Sequence, residues 1–376
     1  MTRLTLRRLW LPVDGGSAQP ATVTLADDGT ILDLVPGVPI GEPAVEDLVV
    51  PGVINAHTHL ELDDLPTLSA ASFIDWLIAL RAHLPAPDPG PRAAHALADL
   101  GCAWVGDVSN GGATGEWLAA AGLAGVVHHE HLGTDAAVVD HLLRVEVVGH
   151  PIGPQVTRWP TAHALISTAP SAVAHLLSGP PDRPPASLHL GESVDEAEFV
   201  RDAAGRHADL LDALGRHWQG GHRRAPRPVA LLDALGVLGP RLLAVHGVFL
   251  EAADRADFAR TGARLCLCPR SNLNVAGRLP DVPAWLRSGV PLALGTDSRA
   301  SAESLDVLAE IPVLAAAFPD VDATVWLGLA THRGATAAGA IGFGAVLPGT
   351  RPGLWRLASA NVDDLRHRAP DRVRLA

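Results

Sequence analysis

The chain contains no lysine. All 29 of its basic residues are arginine, set against 41 aspartates and glutamates, for a formal net charge of −12. An acidic chain without a dense basic face has little to offer a phosphate backbone, which argues against a nucleic-acid partner. The one basic group in the middle of the chain, Arg223, Arg224 and Arg227, lies in a stretch flanked by glycine and proline and reads as a solvated loop. Cysteine is scarce. Cys102, Cys266 and Cys268 are an odd number and cannot make a complete disulfide framework. No run of about 18 apolar residues is free of charge and proline, so a membrane-spanning helix is not expected. Residues 1–10 carry Arg3, Arg7 and Arg8 and too short an apolar core for a signal peptide. No Gly-x-Gly-x-x-Gly follows a strand-like run, so the dinucleotide fingerprint is missing. Internal repeats and low-complexity linkers are missing too. These absences leave a cytoplasmic protein with a small-molecule substrate, and a homo-oligomer stays open.

What is present is ample apolar material: 48% of 376 residues are hydrophobic and 19% charged, enough for one large α/β domain with a satellite. Both ends read as short strands. Thr22-Val23-Thr24-Leu25 and residues 31–35 flank Asp27-Asp28-Gly29, a hairpin signal. Strand-like pieces return after Leu347-Pro348-Gly349. Between the ends, apolar runs recur at 102–108, 125–132, 163–168, 186–190, 242–249, 264–268 and 291–296. Stretches with helical spacing lie between most of them, such as Phe73, Leu77, Leu80 and Leu84, and a second opened by Ser193-Val194-Asp195-Glu196 in capping-box form. With the run that ends at His57 there are eight strands. Such alternation predicts a (β/α)₈ TIM-type barrel over 51–344, with an open doubly wound sheet as competitor. Residues 1–50 and 345–376 are then expected to form one small β-sandwich module.

The chemistry is concentrated at strand ends. In Val53-Ile54-Asn55-Ala56-His57-Thr58-His59-Leu60-Glu61, strand alternation turns His57 and His59 to one face and Thr58 to the other. Leu188-His189-Leu190-Gly191-Glu192, Val245-His246-Gly247 and Gly295-Thr296-Asp297-Ser298 end the fifth, sixth and eighth strands. Singly, each histidine is ordinarily a hydrogen-bonded core residue, and Asp297 could cap a turn. Their shared place in the strand–helix cycle brings five groups from four strands to one end of a barrel. Three imidazoles and one carboxylate suit a borderline divalent ion with a position left for water, whose pKa the ion lowers. Asp297 is placed to take the water's proton, and Glu192 to hand a proton to the substrate.

These pieces, with Pro51-Gly52 ahead of the first, resemble the amidohydrolase superfamily in its own order and span nearly the whole barrel. The resemblance implies that His57, His59, His189 and Asp297 bind one divalent metal, Zn²⁺ or Fe²⁺, and that His246 hydrogen-bonds the hydroxide or substrate. The absence of lysine excludes the carbamylated lysine that bridges two metals in other branches. Cys268-Pro269-Arg270-Ser271-Asn272 and Asp297-Ser298-Arg299-Ala300-Ser301 resemble the deaminase and chlorohydrolase branch. His-Thr-His-Leu-Glu and Phe73-x-x-Trp76-Leu77 look like its aminodeoxyfutalosine deaminases. The resemblance makes Glu61, Arg270 and Asn272 substrate contacts. One departure is expected: Thr168 stands where the branch carries a substrate-facing histidine after the fourth strand. His128, His129 and His131, with Glu130 on the opposite face, are candidates to compensate. The implied function is deamination of an aminated heterocycle, an adenine-type nucleoside derivative. Hydrolysis of another carbon–nitrogen or carbon–halogen bond, or a catalytically silent binder on the same barrel, are the alternatives.

Overall fold

The computed structural model describes residues 1–12, 15–86, 88–216, 224–358 and 361–376, so Arg223 lies outside the described residues. Strands β1 (Thr2–Leu11), β2 (Ser17–Leu25), β3 (Ile31–Pro36) and β4 (Val45–Pro51) come first. The middle of the chain supplies β5 (Val53–Thr58), β6 (Cys102–Ser109), β7 (Ala124–His131), β8 (His150–Gly153) and β9 (Val156–Ala162). It continues with β10 (Ala186–Leu190), β11 (Leu242–His246), β12 (Arg264–Leu267) and β13 (Leu292–Leu294), and β14 (Leu354–Leu357) and β15 (Arg372–Arg374) follow.

The end strands pair in one six-stranded sheet, in the order β15-β14-β4-β1-β2-β3. β2 and β3 make the expected hairpin, with Thr24 opposite Asp33. β14 runs antiparallel to β4, Trp355 facing Val50 and Leu357 facing Leu48. Of the expected sandwich, the strand pairing shows this single sheet. Alternation along β4 sorts its side chains into two cores. Val49 packs with Leu6, Leu9, Val23 and Leu354 within the sheet. Leu48 and Val50 join Trp10 in the large core shared with the middle of the chain. The Trp10 indole also donates to the Thr331 hydroxyl at 3.0 Å. Burial on both faces of β4 thus seats the end sheet against the catalytic part.

The middle strands run parallel, except β8, which pairs antiparallel with β9. They form two arcs, β5-β6-β7-β9-β8 and β10-β11-β12-β13. Isolated parallel bridges link the arcs at both seams, Ala164 to His189 and Thr58 to Asp297. Eight parallel strands with intervening helices therefore follow one another round, with the ladder interrupted at the seams. Every residue of β5, β10, β11 and β13 is buried, as parallel strands covered by helices require.

Two expectations are corrected. The fourth barrel strand is β9, residues 156–162, and the run at 163–168 is the turn that follows it. Arg158 and Pro160 disguise the strand, because proline argues against an interior position; here Pro160 pairs opposite His129. The helix expected after Ser193 is two helices, Glu196–Asp202 and Arg206–Ala213, broken at Ala203 with φ 53°. Glu196 does not close a capping box. Its carboxylate turns back to accept from the Gly191 amide at 2.6 Å. Helix Phe73–Ala82 starts as expected, with the Ser72 hydroxyl accepting from the Asp75 amide. The three cysteines are free and buried. Among the described residues no helix is long and apolar enough to cross a membrane.

Candidate active site

The site is assembled where the first and eighth barrel strands meet. The Thr296 and Asp297 amides donate to the His57 carbonyl at 2.9 and 3.1 Å. Thr58, facing away from its two histidine neighbours, returns a hydrogen bond from its hydroxyl to the Asp297 carbonyl at 3.0 Å. Just beyond His59, the Leu60 amide donates to the buried Asp107 carboxylate at 2.9 Å, which fixes the chain's exit from the strand. His246 and Asp297 both lie at positive φ, 76° and 58°. Such backbone is uncommon for residues with a side chain and costs roughly 1–3 kcal/mol, and it recurs where a side chain must be aimed.

Four ligand atoms face one another. His57 Nε2 is 3.7 Å and His59 Nε2 is 3.5 Å from Asp297 Oδ1. His59 Nε2 and His189 Nε2 are 3.2 Å apart. His189 Nδ1 donates to the His163 carbonyl at 3.1 Å, which leaves the lone pair on Nε2, the nitrogen turned into the cluster. Asp297 Oδ2 accepts from the Ser271 and Ser301 hydroxyls at 2.6 and 2.8 Å, so Oδ1 is left for the cluster. His57 Nε2 is buried with no hydrogen-bond partner. Imidazole lone pairs and one carboxylate oxygen converging without enough protons between them fit a divalent cation. His246 lies beside them. Asn272 Nδ2 donates to its Nδ1 at 2.9 Å, which places the ring proton on Nε2, 3.6 Å from Glu192 Oε1.

Burial decides the protonation of these groups. It pushes His59 and His246 down to about 3, so both are neutral imidazoles at pH 7, as metal ligation and hydrogen bonding require. His189 falls well below the ordinary histidine range for the same reason. The two carboxyls separate. Burial, then the nearby Asp297 charge, raises Glu192 well above its usual range. Burial opposes ionisation of Asp297 as well, yet the His57 ring and the other imidazoles hold it well below the carboxylate range. One carboxyl kept neutral beside one kept anionic is the division of labour of an acid and a base.

A cavity of about 640 Å³ opens on this cluster at His59, Glu130 and His163, with walls that include Leu77, Leu80, Leu211 and Trp117. The structure brings His57, His59, His189, Glu192, His246 and Asp297 together as the sequence suggests. Other expected contacts lie elsewhere. Arg270 pairs with buried Glu310 at 2.7 Å and donates to Ser304 Oγ and the Ser304 and Asp306 carbonyls, which uses four of its five guanidinium donors. It holds two segments together and is not among the residues that line the cavity. The Thr168 hydroxyl donates to the His131 carbonyl at 3.0 Å and is fully buried. Asn272 touches His246, as above. Glu61 lines the cavity, but its carboxylate accepts from Ser109 Oγ and the Asn110 and Gly111 amides and so fastens the loop after β6. Phe73 and Trp76 are core residues.

Of the third-strand histidines, the His129 and His131 rings lie 4.6 Å apart, tilted by 50°, and His128 is buried. Glu130 is the member that reaches the cavity. The missed residue of most consequence is His163, the first residue after β9, whose ring lies 4.7 Å from that of His189. Ending the fourth strand at Ala162 puts His163, rather than Thr168, directly after it. The signal was present in Ala162-His163-Ala164, hidden by the late placement of the strand.

Eight parallel strands, alternating helices and a histidine–carboxylate cluster at the strand ends define a hydrolase of the metal-dependent α/β-barrel class. The model of the amidohydrolase family matches residues 183–372, and the chain belongs to that family. It is a hydrolase acting on carbon–nitrogen bonds. An aminodeoxyfutalosine deaminase of Deinococcus radiodurans is 30% identical over 317 residues, covering 76% of this chain and 72% of that protein. The aminofutalosine deaminase of Helicobacter pylori, solved with methylthio-coformycin, superposes with a TM-score of 0.77 at 19% identity, over 97% of this chain and 95% of that one. The atrazine chlorohydrolase of Arthrobacter aurescens, solved with zinc, gives a TM-score of 0.76 at 17% identity, over 97% and 91%. At these identities the two solved structures speak to the TIM-type fold.

Proposed function

We propose that this chain deaminates an adenine-type nucleoside derivative, with aminodeoxyfutalosine the first candidate. The observation that carries the reading is the mutual approach of His57, His59, His189 and Asp297, with buried Glu192 3.6 Å from His246, next to a largely apolar cavity that His59 lines. The name of the Deinococcus relative supports the choice of substrate. One divalent ion, Zn²⁺ or Fe²⁺, would be held by those three histidines and Asp297. When bound it supplies a Lewis acid that brings the pKa of water towards neutrality. Glu192 gives its proton to the ring nitrogen next to the amino-bearing carbon, which makes that carbon electrophilic. His246, oriented by Asn272, directs Nε2–H at the oxygen as it adds. Asp297 accepts the proton of the attacking water and passes it to the departing amine. A carbon–oxygen bond forms, a carbon–nitrogen bond breaks, ammonia leaves, and the second proton of the added water returns to Glu192 as the product carbonyl forms. The chemistry sits in residues 51–344, with 1–50 and 345–376 as its supporting module.

The test is ammonia release from a panel of aminodeoxyfutalosine, 5′-methylthioadenosine and adenosine, with a halogenated triazine as control. Ammonia from at least one nucleoside is expected. Halide release from the triazine with no ammonia from any nucleoside would replace deamination by dehalogenation.

A further inference from the structure

Glu130 has no part in the chemistry above, yet it is buried at the edge of the cavity, 6% exposed. It stands at the end of β7, between β6 and β9 in the sheet. Its Oε2 accepts from Asn110 Nδ2 at 3.1 Å, in the loop after β6. Its Oε1 has no hydrogen-bond partner and faces His163 Nε2 at 3.6 Å, just after β9. His189 Nδ1 is 3.8 Å from the same oxygen, but its proton is already given to the His163 carbonyl. The other face of the His163 ring system is occupied by Ser167, whose Oγ is 2.5 Å from Nδ1. Asn110, Glu130, His163 and Ser167 all line the cavity. A buried carboxyl with no arginine paired to it is costly to desolvate, and packing alone would be served by an apolar side chain.

We infer that Glu130 is a positioning residue for substrate binding, holding Asn110 and His163 from the strand between them and so fixing which hydrogen-bonding atoms the cavity presents. Drawing Asn110 Nδ2 to Glu130 leaves Asn110 Oδ1 as an acceptor for the ligand. Ser167 Oγ lies 2.5 Å from His163 Nδ1 and 3.4 Å from the Ala164 carbonyl; in the arrangement inferred, its hydroxyl turns to Nδ1 and the ring proton sits on Nε2, facing Glu130. The 3.6 Å gap to Glu130 is longer than a hydrogen bond, so that proton stays available to a ligand acceptor. The kinetic consequence rests on the reading of the site as a nucleoside deaminase; the tautomer of His163 does not.

The test uses metal-loaded, full-length protein and two readouts. With 5′-methylthioadenosine as probe, Glu130→Gln should raise KM about ten- to a hundred-fold, the loss expected for a misplaced buried hydrogen-bonding group. kcat should stay within a few-fold and metal content unchanged. Imidazole ¹⁵N spectra without ligand should show a single Nε2–H tautomer for His163 in the parent, assigned by the signal lost in His163→Gln. Glu130→Gln should mix the tautomers, and Glu130→Asp, which keeps the carboxyl group, should largely preserve the parent pattern. If Glu130→Gln does not fold, Glu130→Asp against the parent is read for the same KM and ring signals, with a smaller rise in KM expected. Loss of metal in a folded variant would assign Glu130 to the metal site and overturn the inference. An unchanged KM with an unchanged His163 signal would make it a structural residue and overturn it equally. Should the probe not be deaminated at all, the ring spectra decide the matter alone.

Discussion

At the scale of single residues, burial alone does not tell what a carboxyl does; its neighbours do. Glu192 and Asp297 are both buried, and their protonation separates because Asp297 faces the His57 and His59 rings and accepts from two serine hydroxyls, whereas Glu192 faces the Asp297 charge. Glu192→Gln keeps shape and hydrogen bonding but carries no proton. It should retain the metal and lose about 10²–10⁴-fold in kcat, and turnover within a few-fold of the parent would make Glu192 structural. Arg270 illustrates the opposite case, a residue whose type suggests a ligand and whose donors mostly go to the protein itself. Burial pushes its partner Glu310 up to about 7, with Arg270 pulling the other way. The folded protein therefore holds that proton more tightly than the unfolded chain, so stability falls as pH rises from the usual carboxylate range through about 7. Removing the arginine leaves the anion alone. Arg270→Ala should cost about 3–5 kcal/mol at pH 8 and much less at pH 5, read by chemical denaturation, with KM little changed. A large KM effect at unchanged stability would return Arg270 to the ligand. The five cluster groups were legible in the sequence because each ends a strand. The carbonyl and carboxylate that claim Thr168 and Arg270 come from segments distant in sequence, where no local pattern reveals them.

At the scale of elements, the strand–helix alternation was readable wherever a strand is mainly apolar and free of proline and arginine, as at 186–190 and 242–246. It failed at β9, where Arg158 and Pro160 interrupt the run, and that one shift of register concealed His163. The end sheet was legible as strands but not as a surface for the barrel. That role depends on Leu48 and Val50 facing one way and Val49 the other. Removing residues 351–376 deletes β14 and β15 and with them Leu354, Leu357 and Leu365, each fully buried. At about 1.5–3 kcal/mol for each large apolar side chain, the loss approaches the stability of an ordinary domain. The shortened chain should lose its cooperative thermal transition, and a melt with unchanged Tm would show the end strands to be dispensable.

At the scale of the whole molecule, two arcs of parallel strands meet at seams, and the chemistry is placed on one of them. The bridge from Thr58 to Asp297 joins the first strand to the eighth beside the groups proposed to hold the metal. The pairing that joins the first and eighth strands also sets the proposed ligands beside one another, and the lysine-free composition excludes a carbamylated lysine as a bridge between two ions. Ammonia release from the responsive nucleoside, measured while Zn²⁺ or Fe²⁺ is added back to chelator-treated protein, tests this most directly. Activity should rise in proportion to the first equivalent per chain and then remain flat. Turnover without added metal, or activity that keeps rising to a second equivalent, would contradict a mononuclear centre at His57, His59, His189 and Asp297.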